Sequence, residues 1–283
     1  MTENITNLYT ANSAALSDRL RLFPRLKDAA RAITLPLFAK PAGIENKSTH
    51  DYDPVTAADI EAELVLRGLI QAAFPDDAIT GEEHEDIVGT SGFTWTLDPI
   101  DGTRAFIAGV PVWSTLIAVS EGDAPMLGMI DLPALEQTYM GAPDEQGKSR
   151  AWLEANGTET LLKSAPCERL NDAVIGCTEP LAMFNAGELA AYNIIRHGTR
   201  FSRLGLDAYG YALVAAGRMN IIIESSLKPC DVRALMPIIE GAGGRMTNWH
   251  GGSCVDGGQV VAVSDAGLLD ELYTYLGRAM TPT

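Results

Sequence analysis

The chain has 283 residues, 46% hydrophobic and 20% charged, an ordinary balance for a folded protein that excludes one dominated by disorder. Its formal charge of −16 disfavours nucleic acid as a partner, because polyanions are held by clustered Lys and Arg, while a small anionic substrate stays admissible beside a bound cation. No apolar run reaches the roughly 18 residues that cross a bilayer, and the amino terminus lacks a basic segment followed by an apolar one, so no membrane association and a cytoplasmic location are expected.

From about Ser13 to Phe38 the apolar residues keep helical spacing around Pro24, which predicts one long helix or two short ones. Thr56 is positioned to cap a second helix that ends before Pro75 and carries Asp59 in its first turn. The period then changes. Phe93 to Leu97, Val112 to Ser120, Met126 to Asp131 and Gln137 to Gly141 are short, branched or aromatic and divided by turn residues, which predicts an antiparallel meander. A polar stretch at Pro143 to Arg150 leads into a strand near Ala151 to Glu154. Beyond it strands and helices alternate: strands at Ala173 to Cys177, Met219 to Ile223 and Gln259 to Val263, and helices at Gly187 to Arg196, Asp207 to Ala216, Asp231 to Gly241 and Ala266 to Leu276. The expected organisation is one body with two lobes, an α+β lobe over residues 1–145 and an α/β lobe over residues 146–283.

The segment Trp95-Thr96-Leu97-Asp98-Pro99-Ile100-Asp101-Gly102-Thr103 carries the most chemistry. Pro99 biases Asp98 toward an extended backbone at the end of a strand, and Asp101-Gly102 turns the chain back. Two carboxylates and the Ile100 carbonyl then face one point, a set of hard oxygen donors suited to Mg²⁺. Thr103 begins a helix, whose free N–H groups at Gly102 and Thr103 can receive a phosphate.

Three other acidic positions are ambiguous taken singly. Gly81-Glu82-Glu83-His84-Glu85 has the composition of a solvated loop. Asp231 reads equally as a helix cap or a metal ligand, and Asp59 as a partner of the helix dipole or a site residue. Gly241-Ala242-Gly243-Gly244 is a helix stop rather than a dinucleotide loop. His50, His84, His197 and His250 lack metal-ligand spacing and are expected at the surface, whereas Tyr209, Tyr211 and Leu213 are expected in the core. The four cysteines Cys167, Cys177, Cys230 and Cys254 form no C-x-x-C pair and read as reduced thiols.

Together the acidic segments resemble the inositol monophosphatase superfamily of metal-dependent phosphatases. The family pattern D-P-I-D-G-T is met at Asp98 to Thr103, G-E-E at Gly81 to Glu83, D-x-V-T-x-x-D at Asp53 to Asp59, and the late metal-binding aspartate at Asp231. Arg104 after D-G-T and Lys228-Pro229-Cys230-Asp231 look closest to the histidinol-phosphatase branch. Cys230 is a departure, since many members place Trp there, and it leaves the Asp231 ligand intact while changing the packing beside it.

The resemblance implies a layered sandwich of alternating helices and sheets, mixed α+β and α/β in class. It implies that Glu82, Asp98, the Ile100 carbonyl, Asp101 and Asp231 hold two or three Mg²⁺ ions bridged by the substrate phosphate. Glu82 and Thr103, with Asp59, would orient the attacking water, and Gly102 and Thr103 would bind phosphate. Glu224, seven residues before Asp231, stands where the family places a carboxylate that contacts the substrate beyond its phosphate; a solvated strand end is its other reading. Arg104 and Asp207 complete the expected substrate pocket. The implied partner is a small phosphorylated metabolite, L-histidinol phosphate first and inositol monophosphate second, with a homodimer as the common assembly and an inert regulatory homologue as the reading from another class.

Overall fold

The structure is a computed structural model that describes residues 14–38, 45–46 and 54–277; Ser13, His50 and Asp53 lie outside them. The first apolar segment forms two helices, α1 (residues 14–20) and α2 (Phe23–Phe38). Pro24 in the first turn of α2 has no N–H to return to the carbonyl of Leu20, and the chain breaks at Arg21 and Leu22. After the short pair β1 (Glu45–Asn46) and β2 (Pro54–Val55) comes α3 (Ala57–Ala73), capped by Thr56 and stopped at Phe74 as expected.

A seven-stranded sheet follows: β3 (Ala78–Gly81), β4 (Phe93–Asp101), β5 (Ser114–Glu121), β6 (Ala124–Leu132), β7 (Gln137–Pro143), β8 (Ser149–Ala155) and β9 (Thr158–Leu161), with α4 (Thr103–Ala108) between β4 and β5. The strands lie in chain order, all pairs antiparallel except β3 with β4. The meander is therefore present and longer than its apolar pattern showed. Since β8 and β9 belong to it, the change of sheet falls between Leu161 and residue 174, beyond residue 145.

The second sheet has the order β11-β10-β12-β14-β13. Its elements are β10 (Val174–Cys177), α5 (Pro180–Met183), α6 (Ala186–Gly198), β11 (Phe201–Leu204), α7 (Ala208–Ala215), β12 (Ile221–Leu227), α8 (Pro229–Val232), α9 (Leu235–Gly241), β13 (Arg245–Thr247), β14 (Gly258–Val263) and α10 (Leu269–Leu276). β10 is parallel to β11 and β12, and β14 is antiparallel to β12 and β13. The helix expected from Asp231 to Gly241 is two helices broken at Arg233 and Ala234. Pro237 cannot donate to the carbonyl of Arg233, so it starts a new first turn rather than continuing the old one.

Period-two alternation makes five layers of these elements. Ile117 and Val119 on one face of β5 pack with Phe23, Leu26, Leu66 and Trp95 beneath α2 and α3, while Leu116 and Ala118 on the other face pack with Tyr211, Leu235 and Ile238 of α7 and α9. In β12, Ile222 joins that middle core, and Ile221 and Ile223 face Tyr192, Ile195 and Leu272 of α6 and α10. The order is helices, sheet, helices, sheet, helices, the layered sandwich expected. Among the described residues no helix is long and apolar enough to cross a membrane.

Candidate functional site

The strand expected to deliver Asp98 at its end runs on through the Asp-Pro-Ile-Asp segment, which is the last part of β4 (Phe93–Asp101). Register with β5 shifts between Asp98 and Asp101, where Pro99 has no N–H for the ladder and its carbonyl instead accepts from Thr115 Oγ1 at 2.7 Å. The irregularity turns both carboxylates toward the end of the sheet that meets α7 and α8. Asp98 Oδ1 accepts from the Ile100 N–H at 3.1 Å, and Asp101 Oδ2 accepts from Ser114 Oγ at 3.1 Å and from the Ala208 N–H at 2.9 Å. The last of these bonds ties the first sheet to the start of α7. Gly102 then takes φ 79°, and a Cβ there would stand 2.9 Å from the Asp207 carboxyl carbon, so only glycine fits beneath that side chain.

These groups line a cavity of about 160 Å³. Glu82, Asp98, Asp101 and Asp231 are on its wall with Ile100, Gly102 and Thr103, and Asp207 and Glu224 enter from the second sheet. Asp231 Oδ2 accepts from the Lys228 N–H at 2.7 Å, so it is a cap of α8 and a cavity carboxylate at once, which resolves the two readings into one arrangement. Glu224 is buried, not solvated: Oε1 accepts from the Thr178 N–H and Oε2 from the Tyr211 hydroxyl, both at 2.8 Å. Tyr211 corrects its sequence reading in part, being a core residue whose hydroxyl also serves the cavity. Arg104 lies outside this cavity in an adjoining groove of about 500 Å³, lined also by Glu179, Met183 and Ser226. Asp59 does not line the cavity; Thr56 holds it through its N–H at 2.9 Å and its hydroxyl at 2.5 Å in a capping box.

The sequence reading missed what holds Glu82. Glu63 of α3 accepts from the N–H groups of Glu83 at 2.9 Å and His84 at 3.2 Å, and Arg67 donates to Glu63 at 2.7 Å and to the carbonyls of Glu85 and His84. A Cβ at Gly81 would stand 2.4 Å from Glu63 Oε1, so the glycine admits this carboxylate under the loop. The acidic run is a fixed loop rather than a solvated one. The Glu-to-Arg spacing of four on a helix was the available signal.

Burial and mutual repulsion dominate the electrostatics. Asp98 is held well above the usual carboxylate range by burial and by the charges of Glu82, Asp101 and Asp231. Asp101 is raised by burial and by Asp207, and Asp231 by burial above all. Burial pushes Asp207 up to about 6 against the pull of Arg104, and Glu224 up to about 7 against its hydrogen bonds to Thr178 and Tyr211. Burial also raises Asp59. Six carboxylates face one small space with a single cation, Lys228, among the lining residues. Such a set of hard oxygen donors with unbalanced charge fits a divalent cation such as Mg²⁺.

A profile of the inositol monophosphatase family matches residues 21–279. The chain is 38% identical over 231 residues to the chloroplastic bifunctional phosphatase IMPL2 of Arabidopsis thaliana, which covers 80% of this chain and 63% of that protein, less than two thirds of its length. It is 35% identical over 248 residues to a histidinol-phosphatase of Chlorobaculum parvum, covering 87% of this chain and 92% of the relative. An inositol monophosphatase from Zymomonas mobilis superposes with a TM-score of 0.79 at 34% identity, over 93% of this chain and 99% of that one. Layer order, acidic motifs and similarity thus agree along nearly the whole length, and the chain belongs to the inositol monophosphatase family, whose members hydrolyse phosphate monoesters.

Proposed function

We propose that this protein is a Mg²⁺-dependent histidinol-phosphatase, converting L-histidinol phosphate and water to L-histidinol and phosphate. The observation that carries the reading is the convergence of Asp207 and Glu224 on the cavity that also holds the metal-type carboxylates. Glu82, Asp98, the Ile100 carbonyl, Asp101 and Asp231 would hold two or three Mg²⁺ ions, and the bound ions supply Lewis acidity and positive charge to a phosphate monoester. Gly102 and Thr103 border the same space, at the start of α4, and are the backbone donors for phosphate oxygens.

Thr103 Oγ1 donates to the Ile100 carbonyl at 3.1 Å, which fixes its hydroxyl oxygen as an acceptor that, with Glu82, orients the attacking water. Asp59 acts from behind, adding negative charge beside Glu82 and Asp98. The substrate's ammonium sits between Asp207 and Glu224. A charge-assisted hydrogen bond there favours an amino alcohol over a neutral polyol by roughly 1 kcal/mol or more. Arg104 borders the adjoining groove, which receives the rest of the molecule.

Inositol monophosphate is the second reading, supported by the Zymomonas mobilis relative, with Glu224 accepting from a hydroxyl. The presence at the cavity of all four carboxylates expected to ligate metal, Glu82, Asp98, Asp101 and Asp231, argues against an inert homologue. The deciding measurement is the ratio of kcat/KM for histidinol phosphate to that for inositol 1-phosphate, in wild type and Glu224→Gln. A preference for the amino alcohol ester that shrinks in the variant is expected. A preference for the inositol ester overturns the substrate, and no Mg²⁺-dependent phosphate release from either ester overturns the phosphatase reading.

A further inference from the structure

Cys230 stands where many family members place an aromatic residue, and it brings sulfur to the acidic cavity. The carboxylate of Glu82, the carboxylate of Asp98 and Sγ of Cys230 present ligand atoms that all lie within 4.8 Å of one another. They come from three separate segments: the loop after β3, the irregular end of β4, and the first turn of α8. Cys230 is 8% exposed and Asp98 2%, and Sγ lies 3.5 Å from Asp231 Oδ1. The cluster is not a loose acidic surface. Glu63 fixes the loop that carries Glu82, the β4 irregularity fixes Asp98, and Pro229 fixes the turn that carries Cys230.

The donor set differs in kind from the oxygen set beside it. Mg²⁺ takes oxygen ligands and has no use for a thiol. Zn²⁺ accepts sulfur at about 2.3 Å and carboxylate oxygen at about 2.0–2.2 Å, with tetrahedral geometry. Ligands at those distances lie roughly 3.5 Å apart, so the trio need contract by only about an ångström, within the reach of carboxylate and thiol rotamers.

We propose that Glu82, Asp98 and Cys230 form a soft-ion site that takes Zn²⁺ and, by holding two carboxylates of the hydrolytic set, makes Zn²⁺ an inhibitor through Cys230. On binding, the S–H bond breaks, its electron pair becomes the sulfur–metal donor pair, and the proton passes to solvent. Nothing is oxidised or reduced. The fourth position is left to water or a substrate oxygen.

The inference rests on the metal-binding reading of the carboxylates, and its test is independent of hydrolysis. Co²⁺ serves as a spectroscopic substitute for Zn²⁺. Metal-stripped wild-type protein titrated with Co²⁺ is expected to develop a near-ultraviolet thiolate-to-cobalt charge-transfer band, removed by one equivalent of Zn²⁺ and resistant to excess Mg²⁺. Cys230→Ser and Cys230→Ala are expected to abolish the band, and Glu82→Gln, which keeps the thiol, to weaken Co²⁺ binding at least tenfold. No band in wild type, a band that survives in either cysteine variant, or unchanged affinity in Glu82→Gln overturns the proposal. Phosphate release with Mg²⁺, measured separately, decides the phosphatase reading alone.

Discussion

The ammonium of Lys228 lies 2.9 Å from Oε1 of Glu82, so a side chain from the start of α8 reaches the loop that follows β3 and places a positive charge among the cavity carboxylates. The Lys228 side chain is 52% exposed, so solvent screens the pair and its own contribution to stability is small. Its effect on a bound cation is direct. Lys228→Met is expected to lower the half-saturating Mg²⁺ concentration about two- to fivefold, the equivalent of about 0.5–1 kcal/mol of relieved repulsion. Mg²⁺ titration followed by thermal shift checks this, and weaker Mg²⁺ binding in the variant would assign Lys228 another role.

Asp98→Asn and Asp231→Asn each remove a charge from the cavity and almost no volume. Turnover is expected to fall by at least about a hundredfold, the scale that loss of an outer hydrogen-bond partner already reaches at metal sites. The metal-free variants should melt no lower than wild type, because the charge lost was a repelling one. Steady-state kinetics at saturating Mg²⁺ with matched melting curves test both halves, and wild-type rates in either variant would remove these residues from the site.

The Glu63–Arg67 pair is buried, with side chains 0% and 5% exposed. Glu63→Ala leaves the Arg67 guanidinium without its counter-charge and releases the Glu83 and His84 amides. A loss of about 3–5 kcal/mol is expected from breaking such a pair on one side. Chemical denaturation measures it, and the double variant Glu63→Ala/Arg67→Met should recover part of the loss. Mg²⁺ affinity should fall in both variants, because the loop carrying Glu82 is no longer held.

Metal removal should make stability depend on pH in a defined direction. Asp207 at about 6 and Glu224 at about 7 stand above their ordinary values, so the native state prefers them protonated. Their contribution is fully present below about pH 4, near the unfolded pKa values, and is lost as pH rises through 6 and 7. In EDTA the melting temperature is expected to drop between pH 5 and pH 8, and Mg²⁺ to restore more of it at pH 8 than at pH 5. Melting curves that run parallel with and without Mg²⁺ across that range would contradict the electrostatic account.

Local signals were enough for much of this protein. Thr56 as a cap, the helix stop before Pro75, the meander from Phe93 and the paired carboxylates Asp98 and Asp101 are legible in sequence, because capping, β-alternation and turn chemistry act within a few residues, whereas Glu82 and Asp231, each ambiguous by itself, joined them only through the resemblance to a family. Short or polar strands such as β9 and β13 were not, since they carry no periodic apolar pattern and exist by pairing with a neighbour. Only the tertiary structure decided that Glu224 is buried under Tyr211 and Thr178, that Asp207 closes over Gly102, and that Glu63 of α3 carries the Glu82 loop. Each joins positions far apart in the chain. Burial and charge repulsion depend on distance in space, and the layering of the two sheets sets that distance.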